Sequence, residues 1–340
     1  MKPIAITMGD PSGISAEITI KTWIQRKKNK LNPFFLIDRE ERVLKVAEHL
    51  KLKISTKIIR SPNDVKDIFN EHLPIYNLKR PINSVLGKPN PKFVIDIIES
   101  IDLAINFAVK KKIIGIVTNP VSKEILMKKG FEQNGQTEYI TEKINQICKK
   151  KFKEIMILST TAPDDSGENL KIGLITTHIP IKEISKKLTK KIISQKIKTF
   201  HKSLVDLWKI KKPLIGICGL NPHCGENGMI GEEDKKLILP VYKALKSKFN
   251  LKGLLSADSS FSKKNRQKFD GFICMFHDQG IIPVKTLDFD KSVNITGGLP
   301  IIRTSPDHGP AFDIARLNVA SNKSLISSIK LIEKFQKNEI

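Results

Sequence analysis

Three of the seven histidines stand in equivalent positions, each a few residues after a short apolar run. They are His178 after IGLIT (172–176), His223 after LIGIC (214–218) and His277 after FICMF (272–276). Neutral imidazoles bind divalent metals, and three of them leave coordination positions open for water or substrate. We therefore predict a catalytic metal site formed by the three. The alternative is three separate histidines in polar loops.

Arg303 is the second residue whose type indicates chemistry. The chain has only eight arginines among 59 basic residues, and Arg303 follows a Gly297-Gly298 turn and an apolar run. Its planar guanidinium binds phosphate or carboxylate in a bidentate manner, which lysine cannot do. Lys285 and Asn294 flank the same region. The sequence favours an anion-binding pocket here, with a surface arginine as the alternative.

Two polar loops also follow predicted strands and could contact a ligand. They are MGDPSG (8–13), whose glycines permit a tight turn, and TNPVSK (118–123). Neither the G-x-G-x-x-G pattern of dinucleotide-binding folds nor the P-loop pattern of nucleoside triphosphatases occurs in the chain.

The elements that must position these residues alternate between strands and helices. Predicted strands are 4–7, 34–37, 113–117, 155–158, 172–176, 214–218 and 272–276, and predicted helices are 14–25, 92–110, 181–200 and 324–338. This alternation predicts an α/β fold with mostly parallel sheets. Ligands of such sheets bind at the carboxyl ends of the strands, where the loops named above lie.

Composition limits the class of protein. With 340 residues and 40% hydrophobic content, two globular domains are expected. The net charge of +24 is nearly all lysine and aromatics are only 6%, which argues against specific nucleic-acid recognition. A nucleic-acid-binding protein stays an alternative, and it predicts steeply salt-dependent binding. Four sparse cysteines, no signal peptide and no membrane-length apolar run predict a cytoplasmic protein without membrane contact.

Taken together, the motifs resemble one family, 4-hydroxythreonine-4-phosphate dehydrogenase of pyridoxal phosphate biosynthesis. The stretches that carry the resemblance are ITMGDPSGIS (6–15), TNPVSK (118–123), NGQTEYI (134–140), TTHIPI (176–181), CGLNPHCGE (218–226), SADSSF (256–261), MFHDQG (275–280) and VNITGGLPIIRTSPDHGPAFDIA (293–315). They run in family order across nearly the whole chain.

The resemblance implies a fold like that of isocitrate and isopropylmalate dehydrogenases, with two α/β/α domains and no Rossmann fingerprint. The first domain would comprise 1–135 plus 290–340, and the second, 136–289, would carry the metal ligands and dimer contacts. It also implies a homodimer with active sites at the subunit interface. The implied reaction is NAD- or NADP-linked oxidation of 4-phosphooxy-L-threonine, followed by decarboxylation to 3-amino-2-oxopropyl phosphate.

Roles carry over from the family by position. His178, His223 and His277 match its metal ligands, and the substrate residues match Gln136, Thr137, Lys285, Asn294 and Arg303. Lys123 and Asp258 are the candidate general bases, and His308, Gly309 and Asp313 lie in the expected cofactor loop. Zinc suits three imidazoles best, while magnesium, manganese or cobalt are alternatives.

Gln136 departs from the family pattern, which usually has histidine there. Glutamine donates a hydrogen bond but cannot carry a charge at neutral pH. The departure keeps open a related dehydrogenase acting on another phosphorylated hydroxy acid, such as phospho-threonate or phospho-erythronate. A metal hydrolase on the same three histidines is a further alternative, and it predicts turnover without a nicotinamide. The first loop also differs, with Ser15-Ala16 where the family usually has Gly-Pro.

Overall fold

The computed structural model describes residues 2–128 and 135–337, which form alternating strands and helices. The strands are β1 (Ile4–Thr7), β2 (Phe34–Asp38), β3 (Thr56–Ile58), β4 (Leu73–Asn77), β5 (Gly115–Val117), β6 (Ile155–Ser159), β7 (Lys171–Leu174), β8 (Ile215–Cys218), β9 (Leu251–Leu255), β10 (Gly271–Cys274), β11 (Val293–Gly297) and β12 (Arg303–Pro306). The helices are α1 (Ser15–Ile24), α2 (Arg26–Asn29), α3 (Glu40–His49), α4 (Val65–Ile68), α5 (Val94–Val109), α6 (Lys123–Met127), α7 (Gln136–Cys148), α8 (Ile184–Lys187), α9 (Lys190–Asp206), α10 (Leu239–Leu245), α11 (Ala257–Ser260), α12 (Lys263–Arg266), α13 (His277–Leu287) and α14 (Lys323–Lys337). The predicted α/β class is confirmed.

The chain folds as two compact units. The first comprises Met1–Lys151 together with Pro300–Ile340, and the second comprises Phe152–Leu299. In neither unit does the described chain contain a helix long and apolar enough to cross a membrane.

Helix α7 explains why the unit boundary lies later than the predicted division after residue 135. Tyr139 on α7 donates a hydrogen bond to Asp102 on α5 at 2.8 Å, and Lys143 pairs with the same carboxylate at 2.7 Å. These contacts hold α7 to α5 within the first unit. Asn134, the first residue of the motif at 134–140, lies outside the described residues.

The first unit is built on a parallel sheet in the order β3-β4-β2-β1-β5-β12. Every residue of β1 and β2 is buried. Because successive strand residues point to opposite faces, burial of all of them means that helices cover both faces of the sheet. The Ile- and Phe-rich runs that identified these two strands are a consequence of that covering.

The second unit has a mixed sheet in the order β11-β6-β7-β10-β8-β9. β7, β10, β8 and β9 are mutually parallel, while β6 runs antiparallel to both β7 and β11. The parallel part brings the carboxyl ends of β7, β10 and β8 to one edge of the sheet. Those are the strands that precede the three histidines.

Two helices pack on the second sheet through different residues of its strands. Ile172 and Phe272 belong to a buried apolar cluster that includes Val284 of α13. The residue after Ile172 on β7 is Gly173, which faces the opposite side of the sheet. A Cβ atom added at Gly173 would lie 2.8 Å from the ring of Phe200 on α9. Glycine is required there because the large ring of Phe200 sits directly on the strand backbone.

The seven predicted strands all form, and five further strands were missed. The missed strands are β3, β4, β9, β11 and β12. Of these, β4 contains Pro74 and β12 reads as the polar sequence RTSP, so neither has the apolar run typical of a buried strand. The predicted helix at 181–200 is interrupted, because Leu188 is extended and Thr189 caps a new helix that continues to Asp206.

Candidate active site

The three histidines lie along one edge of the second unit's sheet, which we call the histidine edge. His178 follows β7, His277 follows β10 and His223 follows β8. Since β10 lies between β7 and β8 and all three strands are parallel, His277 occupies the middle position. The three histidines, which occupy equivalent positions in the sequence, therefore lie at the same edge of the second unit's sheet.

Hydrogen bonds join the three strand ends to one another. Thr176 donates to Met275 O from its backbone nitrogen at 3.2 Å and from its hydroxyl at 2.7 Å, which ties β7 to β10. Gln279 accepts from Met275 N and donates to Gly219 O, both at 2.7 Å, which ties β10 to β8. The backbones that present the histidines are thus fixed without any ligand.

His178 and His277 are neighbours. Their ring centroids lie 5.6 Å apart, and Nδ1 of His277 is 2.6 Å from Oδ1 of Asp278. A carboxylate on Nδ1 leaves Nε2 of His277 as the available ligand atom, the usual arrangement beside a metal. A cavity of about 170 Å³ is lined by both imidazoles, Thr177 and Asp278.

His223 begins an unusual turn. Residues 223–227 all have positive φ, between 39° and 75°, although only Gly225 among them is a glycine. Each non-glycine residue in this left-handed region costs about 1–2 kcal/mol. The buried carboxylate of Asp234 holds the start of the turn by accepting from the backbone nitrogens of Leu220 and Asn221 at 2.7 and 3.0 Å. Such strain is typical of functional sites.

These residues fit a divalent cation in donor type and in placement on one edge. Within residues 2–128 and 135–337, however, no three His, Cys, Asp or Glu side chains are gathered closely enough to hold an ion. The imidazole of His223 is 66% exposed and its Nδ1 lies 3.5 Å from Glu226. The structure thus brings two of the three predicted ligands together and leaves the third apart.

Arg303 is at the centre of a second cluster, in the first unit, which we call the Arg303 pocket (Arg303, Thr118, Gln136 and Thr137). Arg303 opens β12 opposite Ile116 of β5 and is only 3% exposed. Its Nε and Nη2 donate to Thr118 Oγ1 at 3.1 and 2.6 Å, and Nη1 donates to Thr137 Oγ1 at 3.3 Å. The guanidinium is therefore held by hydroxyl groups from two other segments of the first unit.

Burial lowers the pKa of Arg303 to about 10, and the nearby Glu138 opposes that shift. The group remains protonated at neutral pH. The hydroxyl oxygens of Thr118 and Thr137 that accept these bonds carry no formal charge. A buried guanidinium can bind an anionic group through charge-assisted hydrogen bonds.

Gln136 bridges the pocket to the TNPVSK loop. Its Nε2 donates to Asn119 O at 3.3 Å, while its Oε1 accepts from Arg303 Nη2 at 3.4 Å. Both Gln136 and Thr137 lie in the first turn of α7, and Thr118 directly follows β5. The structure therefore brings Gln136, Thr137 and Arg303 together, as their assignment to one substrate requires.

The two candidate bases differ in environment. Lys123 is a half-buried residue at the start of α6, capped by the Ser122 hydroxyl. Asp258 is exposed, and hydrogen bonding from the Ser256 side chain lowers its pKa, with a smaller contribution from His223. A lowered pKa makes Asp258 a weaker proton acceptor and a better partner for positive charge.

Lys285 and Asn294 both belong to the second unit. Lys285 is half-buried two turns after His277 on α13, and its Nζ lies 5.1 Å from the ring centroid of Phe289. Asn294 lies on β11 opposite Leu158, and its buried Oδ1 has no hydrogen-bond partner in the described chain. A buried amide oxygen without a partner is costly and is typical of a ligand-binding position.

The predicted cofactor residues His308, Gly309 and Asp313 are exposed on the loop after β12. A Cβ atom at Gly309 would meet nothing within 4 Å, so the backbone there is open to approach. The same loop contacts the residue that directly follows MGDPSG, since Ile14 N donates to Pro310 O at 3.0 Å. Both loops thus lie at the carboxyl edge of the first sheet.

Three residues that organise these sites were not predicted from sequence. Thr118 accepts two bonds from Arg303, Asp234 fixes the turn before His223, and Gln279 joins two strand ends. Thr118 and Gln279 lie inside the quoted motifs and could have been examined as partners. Asp234 lies outside every motif, and its role depends on a fold contact that no local pattern reveals.

The two units and their carboxyl-edge loops form an α/β fold like that of isocitrate dehydrogenase. The crystal structure of isocitrate dehydrogenase from Methylococcus capsulatus matches with a TM-score of 0.51 at 12% identity, covering 100% of this chain and 87% of that one. This likeness concerns the fold alone.

The chain belongs to the family described as pyridoxal phosphate biosynthetic protein PdxA, whose model matches residues 30–332. A 4-hydroxythreonine-4-phosphate dehydrogenase from a Sulfurihydrogenibium species is 37% identical over 97% of both chains. The crystal structure of 4-hydroxythreonine-4-phosphate dehydrogenase from Klebsiella pneumoniae has a TM-score of 0.82 and 30% identity, covering 98% of this chain and 99% of that one. The chain is therefore an oxidoreductase of a pyridoxal phosphate biosynthetic family, which argues against the hydrolase and nucleic-acid alternatives.

Proposed function

We propose that the enzyme oxidises the C3 hydroxyl of 4-phosphooxy-L-threonine with NAD or NADP. The product, 2-amino-3-oxo-4-phosphooxybutanoate, then loses carbon dioxide to give 3-amino-2-oxopropyl phosphate. Relatives named 4-hydroxythreonine-4-phosphate dehydrogenase support this substrate. The observation that carries the proposal is the buried guanidinium of Arg303 beside Thr137 and Gln136, a group that can bind an anionic part of a small substrate.

The chemistry consists of two balanced steps. A base takes the proton of the C3 hydroxyl while hydride leaves C3 for the nicotinamide ring, which is reduced. The bond between C2 and the carboxylate then breaks, and its electron pair enters the new ketone as an enolate that is protonated at C2. Positive charge near the substrate stabilises both the alkoxide and the enolate.

In the first unit, Arg303 and Thr137 would bind an anionic end of the substrate, with Gln136 contributing its neutral amide. Fixing the substrate in one orientation lowers the entropic part of the barrier to hydride transfer. We propose that Lys123 is the general base and accepts the proton as a neutral amine, because the lowered pKa of Asp258 makes that carboxylate the weaker acceptor.

In the second unit, His178, His223 and His277 would hold a divalent cation, with zinc favoured and magnesium, manganese or cobalt as alternatives. Bound there, the cation supplies Lewis-acid stabilisation of the negative charge that develops on substrate oxygen. Asp258 adds negative charge near His223. Lys285 and Asn294 are the proposed substrate contacts of this unit, and the unpartnered Asn294 Oδ1 supports that role.

The adenosine end of the cofactor is assigned to the loop after β12. His308, Gly309 and Asp313 are exposed there, and open space surrounds Gly309. A ligand could therefore lie directly against this backbone without displacing a side chain.

The substrate assignment is tested by steady-state assays of the purified enzyme with 4-phosphooxy-L-threonine, using NAD and NADP separately. We expect substrate-dependent formation of reduced nicotinamide and release of carbon dioxide in equal amounts. Unphosphorylated 4-hydroxy-L-threonine serves as the matched control for the anion contact. Absence of turnover with the phosphorylated substrate, beside clear turnover of an analogue, would contradict the assignment.

A related substrate is the second candidate, and Gln136 is the residue that favours it. The amide of Gln136 is oriented between Asn119 O and Arg303, so it presents no titratable group to the substrate. Phospho-threonate and phospho-erythronate lack the amino group of 4-phosphooxy-L-threonine. Their binding would therefore not require a titratable side chain at position 136. The same assay with these two compounds decides between the candidates.

We also propose that the enzyme is a cytoplasmic homodimer with its active sites at the subunit interface. The second unit exposes several large apolar side chains, among them Met229 at 80% and Phe289 at 72%. Exposed apolar side chains of this kind mark interaction surfaces when they are contiguous. Light scattering coupled to gel filtration measures the state, and a monomer at all concentrations would exclude the dimer.

A further inference from the structure

A large cavity lies at the carboxyl edge of the first unit's sheet. Its volume is about 550 Å³, within the range of small-molecule sites. Its lining comes from α3, which follows β2, from the loop 82–88, which follows β4, and from Arg316 after β12. Because these strands are parallel, their following segments meet at the edge where α/β proteins bind ligands.

The walls of this cavity are held by hydrogen bonds within the protein. Ser84 Oγ donates to Pro11 O at 2.9 Å, and Gly87 N donates to Ser12 O at 2.8 Å. Arg316 Nε donates to Leu86 O at 2.6 Å, which anchors the guanidinium at the wall. The cavity is therefore formed before any ligand binds.

Both apolar and cationic groups line the cavity. Val46 and Ile82 are buried and give an apolar surface that suits a flat ring. Exposed cationic groups are contributed by Lys45, Lys88 and Arg316.

Charge around the cavity has one sign. Among the described residues, no aspartate or glutamate lines it. Arg42 also reaches the lining but pairs with Asp38 and donates to Pro11 O, so it is a structural member. Lysines are frequent everywhere in this chain, whereas Arg316 is one of only eight arginines, so its placement is the informative one.

The cavity adjoins the predicted cofactor loop. Gly87 has φ +75°, and a Cβ atom added there would lie 3.1 Å from Phe312 O and 3.2 Å from Arg316 Nε. The loop 82–88 therefore packs directly against the segment that contains Asp313. A ligand lying along that segment would reach the cavity.

We propose that this cavity binds the adenosine end of the dinucleotide and that Lys45, Lys88 and Arg316 bind a phosphate on its 2′-oxygen. The enzyme then prefers NADP to NAD. An apolar wall takes the adenine ring, and a guanidinium with two ammonium groups supplies the charge that an additional phosphate needs. The proposal rests on the dehydrogenase function proposed above, and it adds the choice of cofactor.

Binding without turnover gives the first test. Isothermal titration of the full-length protein with adenosine 2′,5′-bisphosphate and with adenosine 5′-monophosphate compares ligands that differ by the 2′-phosphate. We expect the bisphosphate to bind at least about tenfold more tightly, the factor expected from one charge-assisted contact. Equal affinities, or no binding of either compound, would overturn the proposal.

Two variants locate the contact. Arg316→Gln and Lys45→Gln should each lower the bisphosphate affinity about tenfold while leaving the monophosphate affinity unchanged. Lys112→Gln is the matched control, because Lys112 is an exposed lysine that precedes β5 at the opposite edge of the sheet. If Lys112→Gln weakens the bisphosphate as much as Arg316→Gln does, general charge rather than this cavity is responsible and the proposal fails.

The two proposals fail in distinguishable ways. Selective bisphosphate binding without oxidation of any phosphorylated hydroxy acid would refute the proposed function and keep the cavity assignment. Oxidation with equal kcat/KM for NAD and NADP, together with equal nucleotide affinities, would refute the cavity assignment and keep the function.

Discussion

The Arg303 pocket and the histidine edge present their functional groups in opposite ways. Arg303 is 3% exposed and donates to side chains from two other segments of its unit. His223 is 66% exposed, and no three-ligand cluster forms among the described residues around it. In the Arg303 pocket the side chains contact one another, whereas at the histidine edge His178 and His277 are neighbours and His223 stays exposed.

The difference follows from the chemistry of the groups. A guanidinium and neutral oxygens attract each other, so protein hydrogen bonds alone can fix Arg303. Neutral imidazoles have no such attraction for one another, and a bound cation is what draws three of them into one ligand set. We infer that the anion pocket is preformed and that the histidine edge is completed by its metal.

The largest expected effect is the loss of activity on replacing Lys123, the proposed general base, which lies in the first unit. Lys123→Met should lower kcat by about 10²- to 10⁴-fold, the usual contribution of a general base, with little change in KM. Steady-state kinetics measure it. The comparison variant is Asp258→Asn, for which we expect a smaller loss because hydrogen bonding already lowers the pKa of Asp258. A larger loss in Asp258→Asn would move the base to the second unit.

Removing the middle histidine should disable the second site. His277→Ala is expected to weaken divalent-metal binding by more than about 100-fold, since even outer partners of metal ligands contribute 10- to 100-fold. Metal analysis after dialysis measures retention. His72→Ala is the control, because His72 pairs with Ser55 in the first unit. Full metal occupancy in His277→Ala would show that the histidine edge is not the metal site.

A conservative change in the Arg303 pocket should have the next largest effect. Arg303→Lys keeps a positive charge but cannot reproduce bonds to both Thr118 and Thr137, so kcat/KM should fall by about 10- to 100-fold. Retained metal content and an unchanged thermal midpoint would exclude a folding defect. Wild-type kcat/KM in this variant would mean that the orientation of the guanidinium is unimportant.

The smallest predicted effect tests the neutral amide beside Arg303. Gln136→His introduces a group that gains a proton as the pH falls through about 6.5. The added cation should tighten binding of an anionic substrate, so KM relative to wild type should fall about fivefold between about pH 8 and pH 6. Gln136→Asn, which cannot titrate, should give a pH-independent ratio. A flat ratio in Gln136→His as well would show that residue 136 does not sense the substrate's charge.

Much of this arrangement could be read from sequence, because buried parallel strands leave an unmistakable pattern. IAIT and FFLI are apolar since both faces of their sheet are covered, and the strand that precedes each histidine was located for the same reason. The common edge of His178, His223 and His277 then followed from parallel pairing.

Other features depend on contacts that no local pattern contains. The left-handed turn at His223 is held by Asp234, which lies eleven positions further along the chain. The assignment of α7 to the first unit depends on Asp102, and the environment of Arg303 depends on Thr118, 185 residues away. The sequence could therefore indicate which residues matter but not how completely each site is formed.

Metal dependence of turnover tests the central contrast most directly. Oxidation of 4-phosphooxy-L-threonine would be measured with enzyme stripped by a chelator, before and after addition of zinc, manganese or magnesium, while substrate binding to the stripped enzyme is titrated separately. We predict that stripping abolishes turnover, that one of these cations restores it, and that the stripped enzyme still binds the substrate through the preformed pocket. Full turnover by the metal-free enzyme would contradict the account.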